Sequence, residues 1–208
     1  MNARGFTMLE LLVGLLIASL CAVMLLMLFK QTSQIAVTSA QDAEYEAQLQ
    51  TGMLVAQRFI QNAGYGTGST SDIALGTHFN NPAIFWRHVS NLDTTPLSYV
   101  CQGIAEEIQA DGGFKLHRLI LIEKANCGTT TELTEGTWTE SKAIIAIKNN
   151  SATPIYEFAM SDSDCTPFGI DSIKSGSKQL TLSAARPHIT GVGSSLQTAV
   201  CLNNIKVT

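Results

Sequence analysis

Phe6 to Phe29, FTMLELLVGLLIASLCAVMLLMLF, is an apolar run of 24 residues interrupted by one carboxylate, Glu10, and it restricts what the rest of the chain can be. As an α-helix rising about 1.5 Å per residue it is roughly 36 Å long, enough to cross a hydrocarbon core about 30 Å thick. It holds no proline and is rich in Leu and Met, good helix formers, so its backbone hydrogen bonds can close inside the segment, as lipid demands. A secretory signal would carry a shorter apolar core, about 7 to 15 residues, ending in a small-residue cleavage site. Here the run is too long, and the expected processing point lies in front of it. Arg4 and the amino terminus on one side, against Lys30 alone on the other, predict an N-in, C-out orientation.

Glu10 is the anomaly. An ionised side chain at membrane depth costs about 2.5 to 3.5 kcal/mol and calls for a partner. A cation at the same depth would meet that need, and a newly exposed amino terminus on Phe6 of a neighbouring helix would supply one.

The stretch Arg4-Gly5-Phe6-Thr7-Met8-Leu9-Glu10-Leu11-Leu12-Val13 resembles the class III signal of type IV pilins and type II secretion pseudopilins. The resemblance implies that a prepilin peptidase cuts between Gly5 and Phe6, that Phe6 is N-methylated, and that Glu10 pairs with a neighbouring subunit's amino terminus during assembly. Met53 to Gly66, MLVAQRFIQNAGYG, is similar to the segment in which minor pilins of the PilW type leave their long helix, the match resting on Arg58 and Ala63-Gly64-Tyr65. J-type pseudopilins share that layout.

Once leader and membrane run are set aside, the remainder of the 208 residues suits one soluble domain and a helical stalk. A net charge of -4 with no basic patch after Lys30 argues against nucleic acid as a direct partner, since phosphate binding needs clustered Lys and Arg. Cys21 lies in the apolar run and reads as a small packing residue. Cys101, Cys127, Cys165 and Cys201 follow the exporting segment and read as two disulfides in an oxidising compartment, with three pairings open.

Beyond Lys30 the apolar residues become periodic. Tyr45, Leu49, Met53, Ala56 and Ile60 recur on one helical face, which predicts an amphipathic continuation ending near Asn62, where Gly64, Gly66 and Gly68 follow. Gly52 is a weak point there, costing about 1 kcal/mol relative to Ala. Thr67 to Asn81 reads as a connection and Asn81-Pro82 as a turn before a buried Ile84-Phe85-Trp86. Strand-like segments follow at Leu97–Cys101, Leu116–Glu123, Ala143–Lys148, Ile155–Met160, Gln179–Leu182 and Leu196–Val207, with Leu116–Ile122 the candidate central strand. The expected fold is α+β and type IV pilin-like: a long N-terminal helix, transmembrane in one half and amphipathic in the other, on a mainly antiparallel sheet. Its expected parts are a leader at 1–5, an assembly helix at 6–30, an amphipathic continuation at 31–62 and a β-rich domain at 63–208.

Catalytic constellations are missing from the sequence. His78, His88, His117 and His188 are scattered and read as surface or half-buried residues. Gly191 to Ser195 lacks the last glycine of a nucleophile elbow, and Gly64 to Gly68 completes neither a dinucleotide fingerprint nor a phosphate loop. Asp162 and Asp164 could offer oxygens to calcium, yet Pro167 and Ile173 stand where a calcium loop needs glycine and glutamate, so the stretch reads as a solvated turn. Glu106, Glu107 and Asp111 fall in a polar segment with no acid–base pairing legible in their spacing. No cofactor and no metal are expected.

The resemblance therefore implies a structural subunit rather than an enzyme: a minor pilin that primes assembly or sits in the tip complex, with a J-type pseudopilin of type II secretion as the rival. A membrane-tethered periplasmic enzyme or receptor is the reading from another class. The implied partners are other minor and major pilins, the prepilin peptidase, the inner-membrane assembly platform and, before assembly, lipid. The implied location is the inner membrane with a periplasmic C-terminal domain, then the fibre.

Overall fold

The structure, a computed structural model, describes residues 8–93, 95–149, 151–165, 176–186 and 195–205. One long helix, α1 (Met8–Ile60), is followed by eight strands: β1 (Ile73–His78), β2 (Asn81–Asn91), β3 (Ser98–Asp111), β4 (Phe114–Lys124), β5 (Thr139–Asn149), β6 (Tyr156–Cys165), β7 (Gly176–Ala185) and β8 (Ser195–Cys201). The chain divides into two compact units, the helix up to Glu44 and everything from Tyr45 onward.

Within the second unit, strands β1 to β5 form a five-stranded meander in sequence order, and β6, β7 and β8 form a separate three-stranded sheet; every described pairing is antiparallel. The helix contributes the face legible in the sequence: Leu49, Met53, Ala56 and Ile60 are buried and Tyr45 is half-buried. These side chains enter one core with Ile84, Trp86, Ile104, Leu119, Leu121 and Ile147 of the first sheet and Leu180, Leu182 and Val200 of the second. Burying Leu49, Met53 and Ile60 is worth roughly 1.5 to 3 kcal/mol each, well above the cost of one helical glycine. Gly52 is in fact a fitting residue: a Cβ there would lie 2.8 Å from Ile145 Cγ2 and 3.4 Å from Tyr156 Oη. The glycine lets helix and strand approach.

Strand residues of the opposite parity form a second core. Ala83, Phe85, Cys101, Ala105, Ile120 and Ile122 face away from the helix, as the two-residue strand period requires, and are covered by Leu133 and Trp138. Both covering residues belong to the long connection between β4 and β5. Cys101–Cys127 ties this connection to β3 with a Cα–Cα distance of 5.5 Å. Lys124 Nζ donates to the carbonyls of Glu132 and Glu135, each at 2.6 Å, and lies 5.7 Å from the Trp138 ring centroid. Cys165–Cys201 joins the ends of β6 and β8. These are the two bonds among the three pairings open to the four cysteines.

The helix exit is fixed by backbone and charge together. Gly64 adopts φ 72°, and its N–H donates to Arg87 O at 2.9 Å, so the chain turns onto β2 as soon as α1 ends. Arg87, almost fully buried, donates to Asp72 Oδ1 from Nε at 2.8 Å and Nη2 at 2.6 Å, while its Nη1 donates to Gly128 O at 2.6 Å. The other oxygen of Asp72 accepts from Thr67 Oγ1 and from Ser69 N. One ion pair thus holds the exit loop, β2 and the β4–β5 connection.

Three sequence readings are corrected. Residues 73–78 are a strand rather than part of a connection, and the first hairpin turns at Phe79-Asn80, not at Asn81-Pro82. Pro82 sits near the start of β2, paired with Thr77, and the carbonyl of Glu106 on β3 accepts from the side-chain amide Asn81 Nδ2 at 2.9 Å. The β-region is two sheets instead of one. Within the larger, β4 is an interior strand paired with β3 on one side and β5 on the other, as the apolar run Leu116–Ile122 predicts.

Candidate functional site

From Met8 to Phe29 the large apolar side chains of α1 are exposed on all sides, from Met8 at 86% and Leu12 at 66% to Phe29 at 72%. This is the one helix among the described residues long and apolar enough to cross a membrane. Its few hydroxyls return to the helix backbone: Ser19 Oγ donates to Leu16 O at 2.8 Å, and Thr32 Oγ1 to Leu28 O and Phe29 O at 3.0 Å. A hydroxyl satisfied in this way carries little penalty in hydrocarbon. Glu10 is the carboxylate within the apolar part of this helix. Gly5 and Phe6 lie outside the described residues. Cys21 is exposed on the same helix.

The second unit holds one carboxylate–imidazole pair in its interior. Glu106 and His117 are both fully buried, contrary to the sequence reading of each. His117 Nδ1 lies 2.5 Å from Glu106 Oε1, and its Nε2 donates to Ser151 O at 3.1 Å. Both ring nitrogens face oxygen acceptors, which suits an imidazolium–carboxylate pair. The carboxylate also accepts from the N–H of Tyr156 at 2.9 Å and of Ile155 at 3.0 Å, the point where the second sheet begins. A buried charge needs such saturation. Burial, the Glu106 charge and Tyr45 in turn push the Tyr156 phenol far above its ordinary range, so it stays neutral beside them. This constellation ties the two sheets together, with both side chains at 0% exposure. Its sequence signal is faint, because Glu106 and His117 become diagonal neighbours only in the β3–β4 hairpin, in which Glu106 pairs with Leu119 and His117 with Ile108.

The other candidates do not converge. His78 and His88 lie on different strands, burial lowers the pKa of both, and His188 falls outside the described residues. Glu107 pairs with Arg118, which also meets Glu140, both at 2.5 Å. Asp111 pairs with Lys148 at 2.9 Å. Asp162 is engaged by Lys178 at 3.0 Å, and the side chain of Asp164 is not among those described. Among the described residues no group of three or more His, Cys, Asp or Glu side chains is placed to hold a metal ion.

A protein-family model described as the prokaryotic N-terminal methylation motif matches residues 1–26. No curated protein and no solved structure matches the chain.

Proposed function

We propose that this chain, which its methylation motif and its α+β build support as a type IV pilin-like protein, is a minor pilin that primes fibre assembly or sits in the tip complex. Cleavage falls between Gly5 and Phe6, Phe6 becomes the methylated terminus, and Glu10 meets the terminus of a neighbouring subunit. The observation that carries this reading is Glu10 at the head of an apolar helix exposed on all sides. Such a surface needs lipid before assembly and sister helices afterwards, and a neighbouring subunit's amino terminus meeting Glu10 would offset the cost of its carboxylate in lipid, about 2.5 to 3.5 kcal/mol. A plain tether would need neither Glu10 nor Gly5, which speaks against a tethered enzyme.

The PilW-type assignment is supported by Arg58 and Ala63-Gly64-Tyr65 at the helix exit, where Gly64 turns the chain onto β2. In this reading the helix enters the inner membrane with its N-terminus cytoplasmic and the β-rich unit periplasmic, and the partners are other minor and major pilins, the prepilin peptidase and the assembly platform. Glu10→Ala tests the assembly role. The variant should stay in the membrane and abolish fibre incorporation, while a variant that assembles normally overturns the reading. Loss of secretion with pili intact would transfer it to a J-type pseudopilin.

A further inference from the structure

In the meander β1 to β5, the β1–β2 turn and the β3–β4 turn project from the same end of the sheet, and β5 finishes there at Asn149. Asn149 Nδ2 donates to Tyr45 Oη at 3.0 Å, so this is also the end at which the chain enters the folded unit from the apolar helix. Each tip carries an exposed phenyl ring. Phe79 occupies the first turn at φ 52°, a left-handed conformation unusual for a bulky residue, and is 57% exposed. Phe114 follows the Gly112-Gly113 turn and is 52% exposed; nothing lies within 4 Å of a Cβ built at either glycine. From Tyr45 onward these are the exposed phenylalanines among the described residues, the others being buried or half-buried. Asp111 beside the second tip is neutralised by Lys148, and Lys115 follows Phe114 directly.

We propose that Phe79 and Phe114 form a lipid-contacting edge that seats this end of the β-rich unit on a zwitterionic phospholipid surface before assembly. The inference rests on the membrane anchoring argued above. Fifteen residues, Lys30 to Glu44, separate the apolar run from Tyr45, so the end of the unit that bears the tips is the end joined to the membrane segment by a short connection. Aromatic rings that present apolar bodies at a wet interface are the side chains such a surface takes up. The chain's net charge of -4, and its lack of a Lys/Arg cluster, make a nucleic acid or a strongly anionic surface a poor occupant. Among the other exposed large side chains of the unit, Leu54 and Leu75 stand singly on α1 and β1, and Tyr65, Leu92 and Leu97 sit toward the opposite end, at the helix exit and around the β2–β3 connection.

The test uses the full chain in phosphatidylcholine–phosphatidylethanolamine vesicles whose acyl chains are brominated near the headgroups. Phe79→Trp and Phe114→Trp are made singly; Trp86 and Trp138 are buried and give a constant background. Each new indole should shift to the blue, lose emission to the brominated lipid, and resist aqueous iodide. Two results would overturn the proposal: full iodide access without bromine quenching, or a blue shift without bromine quenching that grows with protein density, which signals a protein partner. Vesicle flotation separates the two readings. A chain that fails to float overturns the anchoring as well, and one that floats with unquenched tips overturns the lipid edge alone.

Discussion

Replacing Glu106 by Ala removes the acceptor that serves His117 Nδ1 and the N–H groups of Ile155 and Tyr156 at once. All are buried, so water cannot take the carboxylate's place without opening the core. Breaking one side of a buried ion pair costs about 3 to 5 kcal/mol. Each orphaned N–H adds on the order of 1 to 3 kcal/mol, terms that overlap with the first because one group supplies all three bonds. A net loss of about 4 kcal/mol is expected, against a typical total of about 5 to 15 kcal/mol for a domain. Urea unfolding of the full chain in detergent, followed by the emission of buried Trp86 and Trp138, measures it. Amide hydrogen exchange gives the local counterpart: Ile155 and Tyr156 should exchange faster than amides within β4. If the loss is under about 1 kcal/mol, a value ordinary for a surface substitution, or if those two amides stay protected, Glu106 does not organise the junction between the sheets.

Gly52→Ala should destabilise the protein by about 1 kcal/mol in the same unfolding assay, because the added methyl meets Ile145 at 2.8 Å and overpacking outweighs the helix-propensity gain; a stabilised variant would mean the contact relaxes freely. Arg87→Met should cost about 3 to 5 kcal/mol by leaving Asp72 as an uncompensated buried charge, and proteolysis should then cut first near the freed Gly128 to Thr131 carbonyls; an unchanged digestion pattern counts against the clamp. Burial lowers the pKa of His88, opposed in part by the Glu123 charge, so the unfolded chain takes up the proton first as pH falls. Stability from this group is present above the ordinary histidine value of about 6.5 and declines below it, so His88→Gln should show a smaller drop in unfolding midpoint between neutral and mildly acid pH than the parent chain.

The sequence displayed what depends on local pattern. Leu49, Met53, Ala56 and Ile60 reveal a helical face because four residues nearly complete a turn, and no proline interrupts it. Leu116 to Glu123 alternates toward two cores, and the four cysteines beyond the apolar run announce disulfides without their partners. What stayed hidden depends on the hairpins themselves. Glu106 and His117 look like scattered surface groups until β3 folds back on β4 and Ile155, 49 residues further on, is brought to the same carboxylate. Ile73 to His78 is short and carries a glycine, so it resembled a loop, although pairing with β2 supplies the order its own composition lacks. Asn81-Pro82 has the composition of a turn, yet the turn falls on Phe79-Asn80 and the missing proline donor is tolerated near the strand's beginning. At the N-terminal end the signal is linear: the match of residues 1–26 to the prokaryotic N-terminal methylation motif rests on neighbouring residues, and no folding is required to display it.

In the proposed assembly, the Glu10 carboxylate is matched to a terminus created by cleavage just before Phe6. The intact mass and N-terminal sequence of the chain recovered from membranes test it most directly. The expected result is a first residue of Phe6 with the mass of one added methyl group. A chain that retains Met1, or one that begins at any residue other than Phe6, contradicts it.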